Sequence, residues 1–170
     1  MNARNMYERF EIVENEYGKA NVRLLHLRRE GIVHSIREFE VDTSLTLDDT
    51  KDYTKVAFFS NSFEYMNIHV NPIFQGDNED IIATDSQKNT VYLLAKRHGV
   101  TDPERFAMLL AQHFLDEYSW VLAAKIGVRM HPWERMRVED GIHNHAFISN
   151  PVYERFTTVG NSAISTIVHL

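Results

Sequence analysis

The 170 residues contain no cysteine, which excludes disulfides, thiolate nucleophiles and cysteine-ligated zinc or iron–sulfur centres and leaves a reducing compartment unopposed. Glycine is scarce, with only seven residues, and none falls into a Gly-x-Gly-x-x-Gly, a phosphate loop ending in Lys-Ser/Thr, or a Gly-x-Ser-x-Gly. Dinucleotide, phosphate-loop and serine-hydrolase readings are therefore excluded. Positive charge is also in deficit: 18 Lys and Arg stand against 24 Asp and Glu, a net charge of -6, and no basic stripe breaks the pattern. Duplex nucleic acid is a poor partner for such a chain. No apolar run approaches the roughly 20 residues needed to cross a bilayer, and the charged opening MNARNMYERFEIVENEYGK is not a secretory signal. No membrane association is expected.

What is present is ordinary for a globular protein: 44% hydrophobic and 25% charged residues. The length suits one domain with a real core, or the first half of a larger two-domain protein. From Asn21 to Glu30 apolar and basic residues alternate, Gly31 interrupts, and VHSIREFEVDTSLTL resumes an extended pattern. This predicts a long antiparallel hairpin with a bulge, because Ile36 is out of phase with Phe39 and Val41. After Gly99, Thr101 and Glu104 fit a capping box with Pro103 in the first turn, and Phe106, Leu109, Leu110, His113, Phe114 and Tyr118 share one helical face. Leu122 to Met130 then alternates as a strand with one buried face, Asp140-Gly141 turns it back, and the return strand carries His143, His145 and Phe147 toward Val159. The predicted order is strand, strand, helix, helix, strand, strand. From Gly160 the ending GNSAISTIVHL is weakly patterned and reads as a tail.

The run Gly76 to Lys96, GDNEDIIATDSQKNTVYLLAK, joins a strand end, a polar turn and a helix start in one phrase. Thr84, Asp85 and Ser86 offer oxygens where a helix needs its first N–H groups satisfied, and Val91, Leu94 and Ala95 supply the apolar stripe. A helix start gathers unpaired donors and partial positive charge, which suits an anionic or carbonyl-rich small ligand as well as a simple cap. Just upstream, Val56 to Gln75 differs from its neighbours: four phenylalanines, three asparagines, no lysine or arginine and one acidic residue. It reads either as an aromatic flap or as a translated intron, since valine codons begin GT and glutamine can be CAG.

His143-x-His145, with His113 and His131, raises a metal site. No spacing fixes a third ligand beside the pair, and histidines on a half-buried strand more often hydrogen-bond within the protein. Lys19, in Tyr17-Gly18-Lys19, stands before the first strand and alone is a surface lysine. With Thr84 it would form a different unit, because a threonine hydroxyl beside a lysine can give and take a proton from a weakly acidic substrate.

At these residues the chain resembles urate oxidase. YGK leading into a strand, GDNEDIIATDSQKNTVYLLAK, the helix with His-Phe near its end and the HxHAFI strand match the first half of that family in order, from about Glu16 to Val159 without Val56 to Gln75. The resemblance implies an α+β tunnelling fold (T-fold), an antiparallel four-stranded sheet with two helices on one face in the order ββααββ, residues 1–159 forming one repeat and 160–170 a tail. The family's second repeat is expected to lie outside the sequence. It also implies cofactor-independent oxidation of urate by O2 and water to 5-hydroxyisourate and hydrogen peroxide, in a homotetramer and, by family, in the peroxisome. Val168-His169-Leu170 is not the Ser-Lys-Leu address, so a cytoplasmic location stays open. Carried over residue by residue, Lys19 and Thr84 are the implied catalytic pair, and Thr84 and Asp85 hold the purine, Asp85 through its backbone N–H; no metal and no cofactor are implied. The groups that stack and clamp urate belong to the other half, so these residues alone are not expected to turn over. The alternatives are a non-catalytic splice product or mistaken gene reading of a uricase, and another purine or pterin enzyme of the same fold, which TDSQKNTVY disfavours.

Overall fold

The computed structural model describes residues 16–48, 81–139 and 141–162, and the backbone of 166–169. The aromatic segment 56–75, residues 76–80 of the run that follows it, and Asp140 lie outside the described residues. Two long strands open the fold, β1 (Tyr17–Glu30) and β2 (Val33–Leu47), paired antiparallel around Gly31, whose φ of 61° is the left-handed turn that the break in alternation foreshadows. Helices α1 (Thr84–His98) and α2 (Pro103–Glu117) follow, then β3 (Val121–His131). A short hairpin of β4 (Trp133–Val138) and β5 (Gly141–Ser149) stands apart before β6 (Arg155–Ser162) and β7 (Thr166–His169). The main sheet runs β1-β2-β3-β6-β7, antiparallel at every step.

The expected ββααββ order and α+β class hold, with β1, β2, β3 and β6 as the four strands. Three local readings are corrected. The return strand through His143 toward Val159 is two elements: among the described residues β5 pairs with β4, and it is β6 that returns to β3. Residues 160–170, read as an unpatterned tail, include the end of β6 and the edge strand β7, whose backbone bonds need no apolar alternation. Leu122 is exposed, not on the buried face, because the register shifts between Thr46 and Leu47 and seats Val121 in the core instead.

The helices cover one face of the sheet, α1 across β1 and α2 across β3 and β6. Between the layers lie Phe39, Val41, Leu45, Ile126, Val128 and Val159 from the strands. Leu110 and Phe114 of α2, both fully buried, complete the layer from above, and the Phe39 and Phe106 rings meet at 6.0 Å. The helical face read from sequence is largely this one, although Ala107 and Ala111 are buried while His113 is half-exposed beside Phe114. The opposite face of the sheet is charged. Glu40 on β2 accepts from Arg23 Nε of β1 at 3.1 Å and Arg129 Nη1 of β3 at 2.7 Å, one rung of a ladder across three strands.

The bulge expected in the first hairpin is present, but at Ala20 and Asn21, which together oppose the single Asp42. Asn21 has φ 58°, a conformation asparagine tolerates, and its N–H donates to Asp42 Oδ1 at 2.7 Å. The α2 cap also moves by one residue. Asp102, not Thr101, is the N-cap, its carboxylate accepting from the Arg105 N–H at 2.9 Å with Pro103 behind it, while Glu104 is taken by Arg155 at 2.7 and 3.0 Å. In urea denaturation Asp102→Ala should therefore cost about 1 kcal/mol, and Thr101→Ala should stay within about 0.5 kcal/mol of the parent. Equal losses would return the cap to Thr101.

Candidate active site

Three of the chemistry-bearing residues read from sequence, Lys19, Thr84 and Asp85, lie toward one end of the β1–β2 pair, Lys19 on β1 and the other two in the first turn of α1. Lys19 lies opposite Thr43 in the ladder and is half-buried. Gly18 beside it is obligatory on steric grounds: a Cβ there would sit 1.7 Å from the Thr43 carbonyl oxygen, so any larger residue must push β1 off β2. Thr84 is the first residue of α1 and Asp85 the second, both exposed.

The start of α1 differs from its expected form. The cap position is Ala83, and no side chain caps the helix. Thr84, Asp85 and Ser86 are already inside the first turn, and Asp85 turns to Lys88, Nζ to Oδ1 at 2.8 Å. The first intrahelical bond is made by the Gln87 N–H to the Ala83 carbonyl at 3.0 Å, so the N–H groups of Thr84, Asp85 and Ser86 precede it. The Lys88 hydrogen bond, and then its charge, hold the Asp85 carboxyl below the usual carboxylate range, and the Lys19 ammonium acts in the same direction. Among the described residues no hydrogen bond joins Lys19 directly to Thr84.

Two buried links dock this turn on the sheet, and neither was read from the sequence. The Tyr17 hydroxyl accepts the Ile82 N–H at 3.1 Å. Gln87 donates from Nε2 to the Ile82 carbonyl at 3.1 Å, and its Oε1 accepts the Thr43 hydroxyl at 2.6 Å. The Thr43 oxygen in turn accepts the Lys19 N–H at 3.1 Å. Gln87 is detectable in principle: it falls four residues before Val91, on the apolar stripe, where a glutamine has to find partners inside the protein. Thr43 and Tyr17 carry no comparable local signal.

The four histidines raised as metal ligands stand in three separate places. His113 packs on Phe114, and His131 lies between Glu40 and Glu154 at 3.8 and 3.5 Å. His143 and His145 are adjacent, rings 4.5 Å apart, with His34 5.5 Å from His145. His143 Nδ1 accepts the Ala146 N–H at 3.0 Å, which assigns the ring hydrogen to Nε2 and leaves no lone pair there for a metal. Among the described residues no three His, Asp or Glu side chains are arranged to hold a metal ion.

Burial raises the Tyr17 pKa, outweighing the Ile82 bond that lowers it. A raised phenol favours the neutral form in the folded state, so its contribution to stability is full below about pH 10 and is lost as pH rises through the folded value. Tyr17→Phe should remove that alkaline loss. It should also cost about 1–3 kcal/mol at neutral pH by stranding the Ile82 N–H. Urea melts of both proteins at neutral and alkaline pH measure the two effects, and parallel losses at both pH values would contradict the assignment.

The family model described as uricase matches residues 15–160. The uricase of Drosophila subobscura is 43% identical over 162 residues, an alignment covering 84% of this chain and 42% of that relative. The uricase of Oryctolagus cuniculus is 37% identical over 152 residues, covering 89% of this chain and 44% of the relative. The crystal structure of uricase from Arthrobacter globiformis superposes with a TM-score of 0.68 at 30% identity over 94% of this chain and 47% of that one. The chain therefore spans somewhat under half the length of the relatives it matches. With the sheet, the two helices and their order in agreement with a solved uricase, the chain belongs to the uricase family.

Proposed function

We propose that this chain supplies the Lys19 and Thr84 half of a urate oxidase site, in which urate, O2 and water give 5-hydroxyisourate and hydrogen peroxide without metal or organic cofactor. The observation that carries the reading is the docking of the first turn of α1 and Ile82 before it onto Tyr17 of β1, the strand that bears Lys19, and onto Thr43 of β2 opposite Lys19. A hydroxyl that gives and takes a proton, next to a lysine, is suited to deprotonating a weakly acidic purine. The N–H of Asp85, ahead of the first intrahelical bond at the positive end of the helix, is suited to a purine carbonyl or anion. Thr84 and Asp85 are thus the purine-binding pair and Lys19 and Thr84 the catalytic one.

Stacking and clamping of the flat ring require further groups, which the family resemblance assigns to the second repeat. Substrate, lysine and threonine must be held together before charge moves, so half of the arrangement contributes little alone. Self-association, as the homotetramer of the family, would bring half-sites together, and the sheet edges at β1 and β7, open among the described residues, favour it. A peroxisomal location follows the family resemblance, with the cytoplasm as the alternative.

Urate absorbance followed in air tests the assignment. The 170-residue chain alone should show no turnover. The same chain joined to a second uricase repeat, with 56–75 removed, should consume urate. In that active protein Thr84→Ala should lower kcat by about 10²-fold or more, with a smaller change in KM. Equal losses would leave Thr84 a binding role only. No turnover from the joined protein would favour a non-catalytic chain, and transcripts spanning codons 56 to 75 would then show whether that segment is removed. Size-exclusion chromatography with light scattering should find the 170-residue chain as an oligomer or aggregate at micromolar concentration. A stable monomer would contradict the reading of the open edges.

A further inference from the structure

Two buried polar side chains have no place in the relay described so far. Gln87 is 0% exposed and Thr43 5%. On the stripe shared with Val91, Leu94 and Ala95, an aliphatic residue would pack without requiring hydrogen-bond partners. The glutamine is nevertheless bonded at both ends of its amide, and the partners lie on either side of the proposed site. One end reaches, through the Thr43 hydroxyl, the backbone of Lys19; the other holds Ile82, two residues before Thr84. The Thr43 hydroxyl has one hydrogen. The Gln87 oxygen at 2.6 Å takes it in preference to the Lys19 carbonyl at 3.3 Å, so the bonds run in one direction from the Lys19 N–H to the amide of Gln87.

We infer that Thr43 and Gln87 form a positioning bridge that fixes Lys19 on β1 against the first turn of α1. Apolar contact is non-directional and lets a helix slide on a sheet, whereas a hydrogen bond weakens steeply with distance and angle. The bridge therefore sets the helix against the strand where alignment matters for a lysine and a threonine that share a proton. Its catalytic meaning rests on the proposed relay; its geometry does not.

The test uses the 170-residue chain and the titration midpoint of the Asp85 carboxyl, followed by carbon-13 NMR, as a local reporter of the Lys19 charge. Lys19→Met should raise that midpoint. In the Thr43→Val and Gln87→Leu backgrounds the same substitution should raise it by less than half as much, and in Thr43→Ser, which keeps the hydroxyl, by the full amount. This double-mutant comparison separates positioning from a general loss of stability. Should either single variant not fold, Thr43→Val with Gln87→Ile removes the hydroxyl and the amide together, so that neither is left facing an apolar replacement; it carries the same expectation. An undiminished rise in the bridge-less proteins, or no rise in the parent, overturns the inference. Absent urate turnover in the chain joined to a second uricase repeat, with the coupling intact, would instead overturn the relay and leave the bridge standing.

Discussion

The hydroxyl of Thr43 is the point on which the arrangement of this end of the molecule depends. It belongs to the sheet by its backbone and to α1 by its hydrogen bond, and its oxygen also receives the N–H of the residue opposite. Most of α1 rests on the sheet through aliphatic burial, which supplies energy without specifying registration. The specification comes from polar groups at its first turn, where Tyr17 and Gln87 hold Ile82 by its N–H and its carbonyl. A segment bonded at both its donor and its acceptor has little freedom to rotate, and the residues that follow it inherit that orientation.

The two faces of the sheet divide the remaining tasks. One is dry and aliphatic under the helices, and most of the folding energy resides there. The other carries the rung of Arg23, Glu40 and Arg129, extended by Glu154 at 3.4 Å from Arg129. Glu40 is 12% exposed while Arg23 and Arg129 are 64% and 37% exposed, so solvent still screens these pairs from the arginine side. The β4–β5 hairpin is fastened to β2 by polar contacts as well, Trp133 Nε1 to Glu38 at 2.8 Å and Arg135 Nη2 to the His34 carbonyl at 2.6 Å.

Element order and class were legible in the sequence because the hydrophobic periods of β1, β2, α1 and α2 are long and regular. The match of YGK and TDSQKNTVY is what proposes a site at Lys19, Thr84 and Asp85. What the sequence concealed was decided by contacts distant along the chain. Whether Thr101 or Asp102 caps α2 depends on Glu104, which a capping box would use but which Arg155 occupies instead. Whether Leu122 or Val121 is buried depends on a register shift opposite Leu47. The separation of β5 from β6 depends on which strand each one finds, and both carry patterns compatible with the other's place. Thr43 and Gln87 are 44 residues apart, so no local pattern joins them.

The bulge at Ala20 and Asn21 decides which side of the sheet the lysine occupies. Side chains alternate along a strand, and directly opposed residues of an antiparallel pair point the same way. Val22 opposes Val41 and Lys19 opposes Thr43, and both Val41 and Thr43 are buried under the helices. Three positions separate Lys19 from Val22, an odd number, so in an unbroken strand the two would face opposite sides. One inserted residue restores the parity and brings Lys19 to the helix-covered side, next to α1; one fewer would have turned it toward the charged face. The chemistry proposed for this chain therefore depends on a count of residues as much as on their identity.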